Sequence, residues 1–174
     1  MGLVRHPHKV NLIVGLLSKD TAALARAKAS LERIFGRVEL EGPLLDFTHT
    51  DYYKEEMGSP LKRQFLSFER LCGLKGICGA KVRTNRLERR LSRGSKRTVN
   101  IDPGYLDLAK LVLFSTKDYS HRMYLDKGIF AETTLFYKGG TFNPWPWTYP
   151  DYATAAYIGF FNKVREIYKA KIAC

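Results

Sequence analysis

Residues suited to phosphate chemistry are concentrated between Arg97 and Asp151. Phosphoryl chemistry needs carboxylates that hold a divalent metal ion and cations that take up charge on the phosphate oxygens. Both types occur in this stretch, with a histidine and an asparagine among them. The polar set is Asn100, Asp102, Lys117, Asp118, His121, Arg122, Lys127 and Glu132. We therefore predict that this stretch builds a site for a nucleotide or another phosphate ester.

The polar set divides by chemical role. Asp102 and Glu132 are the candidate ligands of Mg²⁺, the cofactor that this chemistry suggests. His121 is the candidate for proton transfer, because an unperturbed histidine titrates close to neutral pH. The residues expected to bind the substrate or its phosphate are Asn100, Lys117, Arg122 and Lys127. Whether such a site is catalytic remains open at this point.

Each of these assignments has an ordinary structural alternative. Asn100 and Asp102 precede Pro-Gly, so they could equally make a tight turn at a strand end. Glu132 falls on an apolar strand face, where a buried carboxylate needs a partner and could simply pair with Arg or Lys. A histidine in a loop, such as His121, is often only a surface residue. The sequence leaves open whether the acids and bases converge in one pocket or neutralise each other.

Two smaller features bear on metal binding, and only the first allows it. The loop around Asp51 is rich in acids and hydroxyls that could supply hard oxygen ligands, but it lacks the spacing of a calcium-binding loop and also fits a solvated turn. Its polar residues are Asp46, Thr48, Thr50, Asp51, Tyr52, Tyr53, Glu55 and Glu56. Cys72, Cys78 and Cys174 have no CxxC spacing, which supports neither a zinc site nor a disulfide framework.

The positive charge of the chain is strongly localised. Of the 29 Lys and Arg residues nine lie in 73–97, whereas this segment holds only one of the 17 Asp and Glu residues. A helical projection gathers most of these cations on one face. The candidate polyanion-binding residues are Arg83, Arg86, Arg90, Arg93 and Arg97. This face predicts contact with RNA or another polyanion, and the alternatives are an acidic membrane surface or a plain solvated helix face.

The elements that position these residues can be read from hydrophobic periodicity. Lys9 to Ser18 is a near-continuous apolar run, typical of a central strand buried on both faces. A helix follows from the N-cap Asp20 to Phe35 and ends at Gly36. The next strands are expected at 37–48, where Pro43 demands an edge or a bulge, and at 61–69. A helix over 73–93 and a strand from Thr98 complete a β-α-β-β-α-β order, the pattern of a ferredoxin-like unit.

The second half of the chain predicts strands and a final helix. A strong strand pattern covers 108–116, and 122–125 and 129–137 flank a short hairpin turn at Asp126-Lys127-Gly128. Gly139-Gly140 makes a second turn, and Asp151 is the expected N-cap of a helix that runs to about Ile172. The fold class is therefore α+β, with a mixed or antiparallel sheet, β-hairpins and a C-terminal helix in one domain over 1–174.

Composition narrows the class of protein. Of the 174 residues 45% are hydrophobic and 26% charged, which is ordinary for a globular protein. No apolar run approaches the length of a membrane span, and the first residues lack the apolar region of a signal peptide. We therefore expect a cytoplasmic protein. Its net charge of +12 favours polyanionic partners such as nucleic acids and nucleotides.

Several long motifs resemble one bacterial family. They are FTHTDYYKEEMG, FLSFE, KVRTNRLE, RTVNIDPGYLDLAKLVLFSTKDYSHRMYL, GIFAETTLFY and WTYPDY, and together they cover almost the whole chain. This combination is similar to domain of unknown function 4416, some members of which are labelled "GTP-binding protein". The resemblance implies GTP as one candidate ligand.

The sequence argues against a P-loop GTPase. It contains neither the G-x-x-x-x-G-K-[ST] phosphate loop nor the N-K-x-D guanine-recognition motif. The glycine-rich run from Gly73 to Lys81 lacks the Gly-Lys-Ser/Thr end that wraps phosphate and holds magnesium. Nucleotide binding would therefore have to use a different site.

Overall fold

A computed structural model describes residues 2–50 and 52–173 and confirms the α+β class. The helices are α1 (Thr21–Phe35), α2 (Lys54–Met57), α3 (Gly79–Leu91) and α4 (Ala155–Ala173). The strands are β1 (Val10–Ser18), β2 (Val38–Glu41), β3 (Leu45–Phe47), β4 (Leu61–Cys72), β5 (Asn100–Leu106), β6 (Lys110–Ser115), β7 (Met123–Asp126), β8 (Ile129–Lys138) and β9 (Thr141–Pro144).

The strands form one open antiparallel sheet of nine strands. Its order is β2-β4-β1-β5-β6-β8-β7, with β3 added beside β4 and β9 beside β8. All nine residues of β1 are buried, and β1 lies between β4 and β5. This confirms the central buried strand, since a strand covered on both faces and paired on both edges can be apolar throughout.

Helices cover both faces of the sheet, and alternation along β1 determines which residue faces which helix. Leu12, Val14 and Leu16 pack with α1 and α3. Ile13 points to the other face and packs with Phe65 and the aromatic side chains of α4. The Asp20 carboxylate accepts the Ala22 N–H, and Gly36 ends α1, as predicted from the capping residues.

Three predicted boundaries differ from the observed ones. The expected strand 37–48 is broken into β2 and β3 around Pro43, and α2 follows, so the chain does not reproduce the ferredoxin-like unit element by element. The basic helix begins at Gly79 rather than residue 73. Asp151 is not the N-cap of α4, which begins at Ala155, because the Asp151 carboxylate is buried in an ion pair with Arg63.

The hairpins of the second half of the chain turn at the residues predicted from the sequence. The β7–β8 hairpin turns at Lys127 and Gly128, both with positive φ, and the β8–β9 hairpin turns at Gly139 and Gly140. None of the helices in the described ranges is long and apolar enough to cross a lipid bilayer.

The sheet splits between β5 and β6, and this split creates space for a site. Their register begins only at Gly104 and Leu113, so Asn100 to Pro103 pair with β1 but not with β6. A Cβ on Gly104 would lie 2.2 Å from the Val112 carbonyl oxygen, so the pairing needs glycine where the strands first meet. The preceding half of β5 has no strand partner on this side, and Asn100 and Asp102 line the space that opens there.

Candidate functional site

A cleft of about 640 Å³ lies where β5 and β6 diverge. Its lining comes from α3 and the strands β3, β4, β5, β6 and β8, together with the segments around Tyr52, Arg97, Lys117 and Tyr149. The predicted residues that line it are Arg97, Asn100, Asp102, Lys117, Arg122 and Glu132. The fold therefore brings most of the polar set into one cavity, although these residues are up to 35 positions apart in the sequence.

The base of the cleft is formed by paired charges, which we call the charged floor: Arg63, Lys81, Asp102 and Asp151. Asp102 Oδ2 lies 3.3 Å from Arg63 Nη1, and its Oδ1 lies 3.2 Å from Lys81 Nζ. Burial alone would raise the pKa of Asp102, but the charges of Lys81 and Arg63 outweigh it and hold the pKa below its usual value. Asp102 is therefore an ionised carboxylate that is already paired.

Arg63 is the centre of the charged floor, and the sequence analysis missed it. Its side chain is only 5% exposed, and its Nε lies 3.2 Å from Asp151 Oδ2. The guanidinium also lies over the ring of Phe47, 5.1 Å from the centroid. One signal could have revealed it, because strand alternation puts Arg63 on the same buried face as Leu61 and Phe65.

Lys81 and Glu88 reach the cleft from the buried side of α3. Lys81 Nζ donates to the Ile101 carbonyl oxygen at 3.0 Å, and Glu88 Oε1 accepts the Ile101 N–H at 2.6 Å. Burial raises the pKa of Glu88 although Lys81 opposes it. Their seven-residue spacing, with buried Thr84 between them, places all three on one helix face and was the available sequence signal.

Arg97 lines the cleft and does not belong to the exposed arginines along α3. It follows α3 and forms a two-pronged ion pair with Glu56, with Nε–Oε1 at 2.8 Å and Nη2–Oε2 at 2.6 Å. Its Nη1 donates to Asn100 Oδ1 at 2.9 Å. Arg97 therefore connects α2 to β5 and holds the segment around α2 against the cleft.

The Glu132 side chain is only 2% exposed, and its Oε2 lies 2.7 Å from Arg122 Nε. Arg122 also donates to Ser115 Oγ, to the Lys117 carbonyl oxygen and to the Tyr149 hydroxyl. The salt-bridge alternative for Glu132 is thus observed. Arg122 connects the end of β6 to the segment that precedes α4.

His121 and Lys127 do not line the cleft. His121 Nε2 lies 3.2 Å from Glu132 Oε2, and its ring is stacked between Tyr119 and Trp147. Lys127 is exposed in the β7–β8 turn. Proton transfer by His121 and phosphate binding by Lys127 remain predictions.

The metal assignment also remains a prediction. Within residues 2–50 and 52–173, no three His, Cys, Asp or Glu side chains group closely enough to hold a metal ion. Asp102 and Glu132 are each occupied by cationic side chains. Asp51, a possible metal ligand in the acidic loop, and Cys174 lie outside the described residues.

The arginines of α3, with Arg93 just beyond its end, form a second charged surface. Arg83, Arg86, Arg90 and Arg93 are all exposed. Arg83 lies over the ring of Phe35 at 5.0 Å, and in the described part of the chain none of the four has a carboxylate partner. The predicted basic face therefore exists as a solvent-facing row, without Arg97.

Comparison with known proteins identifies a family and nothing finer. Residues 8–168 match the family model described as "Domain of unknown function (DUF4416)". No curated protein and no solved structure gives a significant match.

Proposed function

This chain belongs to the DUF4416 family, and we propose that its cleft binds a nucleotide or another phosphate ester. The observation that carries the proposal is a pair of uncompensated cations in the cleft. Arg89 and Lys117 line it, are exposed, and have no carboxylate partner within the described ranges. Cations that are not already paired can neutralise a phosphate without breaking an internal ion pair.

The dimensions and lining of the cleft support a ligand larger than phosphate. Its volume of about 640 Å³ falls within the range of small-molecule sites. Exposed tyrosines, among them Tyr52, Tyr119 and Tyr149, surround the cations. Aromatic rings beside cations suit a ligand that joins an anionic group to a flat or apolar body.

Lys117 is the residue best placed to respond to a ligand. Its Nζ donates to the Tyr52 hydroxyl at 2.8 Å and lies 4.4 Å from the centroid of that ring. An incoming phosphate would exchange this neutral acceptor for a charged one, which makes a stronger hydrogen bond. GTP is the first ligand to test because of the label carried by some similar sequences, with Mg²⁺ as its counter-ion. The proposal includes a cytoplasmic location, where nucleotides are available.

The test is a thermal-shift screen of GTP, ATP, ribose 5-phosphate and pyrophosphate, each with and without Mg²⁺. Binding to the folded state must raise the melting temperature by mass action. We expect Lys117→Gln and Arg89→Gln to reduce the shift, and Lys138→Gln, at an exposed position outside the cleft, to retain it. The proposal fails if wild type responds to none of the four compounds, or if the Lys117 and Lys138 variants respond alike.

The Mg²⁺ assignment is tested separately. If Asp102 and Glu132 hold the ion, Asp102→Asn and Glu132→Gln should abolish the difference between the shifts measured with and without Mg²⁺. A difference that persists in both variants would remove these residues from the metal assignment while leaving the phosphate proposal intact.

A second candidate function rests on a different surface. The exposed, unpaired Arg86, Arg90 and Arg93 favour binding of RNA or another polyanion along α3. Phosphate neutralisation predicts that log K falls linearly with log salt and that an Arg86/Arg90/Arg93→Glu variant loses binding. Equal RNA affinity of wild type and this variant across the salt series would exclude the surface.

A further inference from the structure

One buried hydroxyl in the cleft has no hydrogen-bond partner. In the described part of the chain, the buried side-chain atoms without one are Arg63 Nε, Asp151 Oδ2 and Tyr152 Oη. Arg63 Nε and Asp151 Oδ2 face each other as an ion pair at 3.2 Å. Tyr152 Oη lacks even this compensation, although Tyr152 is only 2% exposed.

The packing of the Tyr152 ring holds the side chain at the wall of the cleft. The ring packs against Phe65, with centroids 4.9 Å apart, and stacks on Phe161 at 6.0 Å. Tyr152 lines the cleft, and its hydroxyl interacts electrostatically with the charged floor. The apolar part of the side chain is thus held by the α4 side of the core while the polar end reaches the site.

The hydroxyl is a neutral donor. Burial raises the pKa of Tyr152 well above its usual value, and the nearby positive charge of Arg63 does not overcome that effect. Leaving such a group buried without a partner lowers the stability of the folded state. A polar group retained at that cost in a ligand-sized cleft is most simply explained by a partner that arrives with the ligand.

A second tyrosine, Tyr53, lines the same cleft and interacts electrostatically with Asp102 and Arg63 of the charged floor. Tyr53 is half-buried in the cleft, and no hydrogen bond of its hydroxyl occurs among residues 2–50 and 52–173. Burial raises the pKa of Tyr53, and the negative charge of Asp102 raises it further. Both tyrosines are therefore uncharged and can each donate one hydrogen bond.

The charged floor itself does not attract an anion. Its two cations, Arg63 and Lys81, are matched by Asp102 and Asp151. An additional phosphate there would meet two carboxylates, which repel it. Uncharged oxygen atoms, in contrast, can accept from the tyrosine hydroxyls without changing the charge balance.

We propose that Tyr152 and Tyr53 bind an uncharged polar group of the ligand, a sugar or base oxygen, while its phosphate lies at Lys117 and Arg89. This inference rests on the proposed phosphate-ester function and specifies its substrate class. The ligand carries an oxygen-rich body on a phosphate, as nucleotides and sugar phosphates do, and is not inorganic phosphate or pyrophosphate. Its body lies inward and its phosphate faces the exposed side of the cleft.

Tyr152→Phe tests the proposal because it removes one oxygen atom and keeps the ring. Without ligand, the variant should melt at the same temperature as wild type or higher, since it loses an unpaired buried hydroxyl. The matched control is Tyr157→Phe. The Tyr157 hydroxyl donates to the Arg63 carbonyl oxygen at 3.1 Å and Tyr157 does not line the cleft, so this variant should melt lower.

Ligand binding gives the second measurement. Tyr152→Phe should lower the affinity for GTP or ribose 5-phosphate about three- to tenfold, which corresponds to the loss of one net hydrogen bond. Calorimetry measures this affinity. Tyr53→Phe should have a similar effect. The response to pyrophosphate should be the same in Tyr152→Phe and wild type, because pyrophosphate has no sugar or base.

The outcomes separate this inference from the function on which it rests. Undiminished binding of GTP and ribose 5-phosphate by Tyr152→Phe, or a melting temperature as low as that of Tyr157→Phe, overturns the inference alone. So does an equal loss of pyrophosphate binding. No response of wild type to any of these compounds overturns both.

Discussion

At the scale of single residues, Arg63 decides the electrostatics of the cleft. It lies between Asp102 and Asp151, with ion-pair distances of 3.3 Å and 3.2 Å. A buried arginine between two carboxylates holds the pKa of Asp102 below its usual value and links β4, β5 and the segment before α4. The pairing also engages Asp102, one of the two acids predicted to hold Mg²⁺, with a cationic side chain.

Arg63→Met is expected to lower the free energy of unfolding by about 3–5 kcal/mol, because it leaves Asp151 as a buried charge without a partner. Urea denaturation measures the loss. Adding Asp151→Asn to Arg63→Met should restore part of it, since the unpaired charge is then removed. A loss below about 1 kcal/mol for the single variant would contradict the role given to Arg63.

Glu88 should make stability depend on pH. Burial raises its pKa above the usual 4.5 although Lys81 and Arg97 oppose the shift. Above pH 4.5 the folded state therefore binds more protons at this site than the unfolded state, and its contribution to stability falls as pH rises toward the folded pKa. Glu88→Gln does not titrate, so its stability relative to wild type should increase with pH over that window.

Denaturation curves between pH 4 and 8 measure the effect of Glu88→Gln. The control is Glu55→Gln, at an exposed glutamate of α2. That variant should follow the wild-type pH dependence. If Glu88→Gln also runs parallel to wild type, the raised pKa is refuted.

At the scale of elements, the point where β5 and β6 meet controls the shape of the cleft. Gly104 begins their register, and Pro103 before it has no N–H with which to extend the pairing. Asn100 and Asp102 consequently lie in a strand and yet line the cleft, although Asn100 is buried and the Asp102 side chain is only 24% exposed.

Gly104→Ala should destabilise the protein by at least about 2 kcal/mol, because the new methyl group would lie 2.2 Å from the Val112 carbonyl oxygen and force the strands apart. It should also reduce ligand binding in the cleft. Gly159→Ala is the matched control, since that helical glycine has open space around it. Alanine there should raise the free energy of unfolding by about 0.5–1 kcal/mol, because alanine has the higher helix propensity. Thermal or urea unfolding distinguishes the two, and equal effects would argue against this steric account.

At the scale of the whole molecule, the net charge of +12 is divided between two kinds of surface. In the cleft most cations are paired with carboxylates, whereas along α3 the arginines face solvent without them. A high net charge does not by itself identify the binding site, because only uncompensated cations remain available to an anionic partner.

The two surfaces should be separable. At about 0.15 M salt, Arg86/Arg90/Arg93→Gln, which gives Arg89 no new carboxylate neighbour, should strongly weaken RNA binding but retain the thermal shift produced by GTP. Lys117→Gln should do the reverse. The two binding measurements on the two variants form the test. If each variant lost both activities, the cleft and the α3 surface would belong to a single site.

The sequence by itself determined the elements whose signal is local. Unbroken hydrophobicity marked β1, the Asp20 cap and Gly36 marked the ends of α1, and glycine turns marked the β7–β8–β9 hairpins. It also placed Asn100, Asp102 and Glu132 on neighbouring strands and Lys117 and Arg122 in a connection between them. Short connections keep successive antiparallel strands together.

Only the tertiary structure decided which charges are paired and which remain free. Arg63 and Asp102 are 39 positions apart, and the Tyr157 hydroxyl reaches an oxygen atom 94 positions away, so no local pattern could announce either contact. The sequence likewise assigned Arg97 to the basic face of the helix, whereas in the structure Arg97 pairs with Glu56 and lines the cleft. Pairing of buried charges depends on distances of a few ångströms between remote segments, and those distances are set only when helices and sheet pack together.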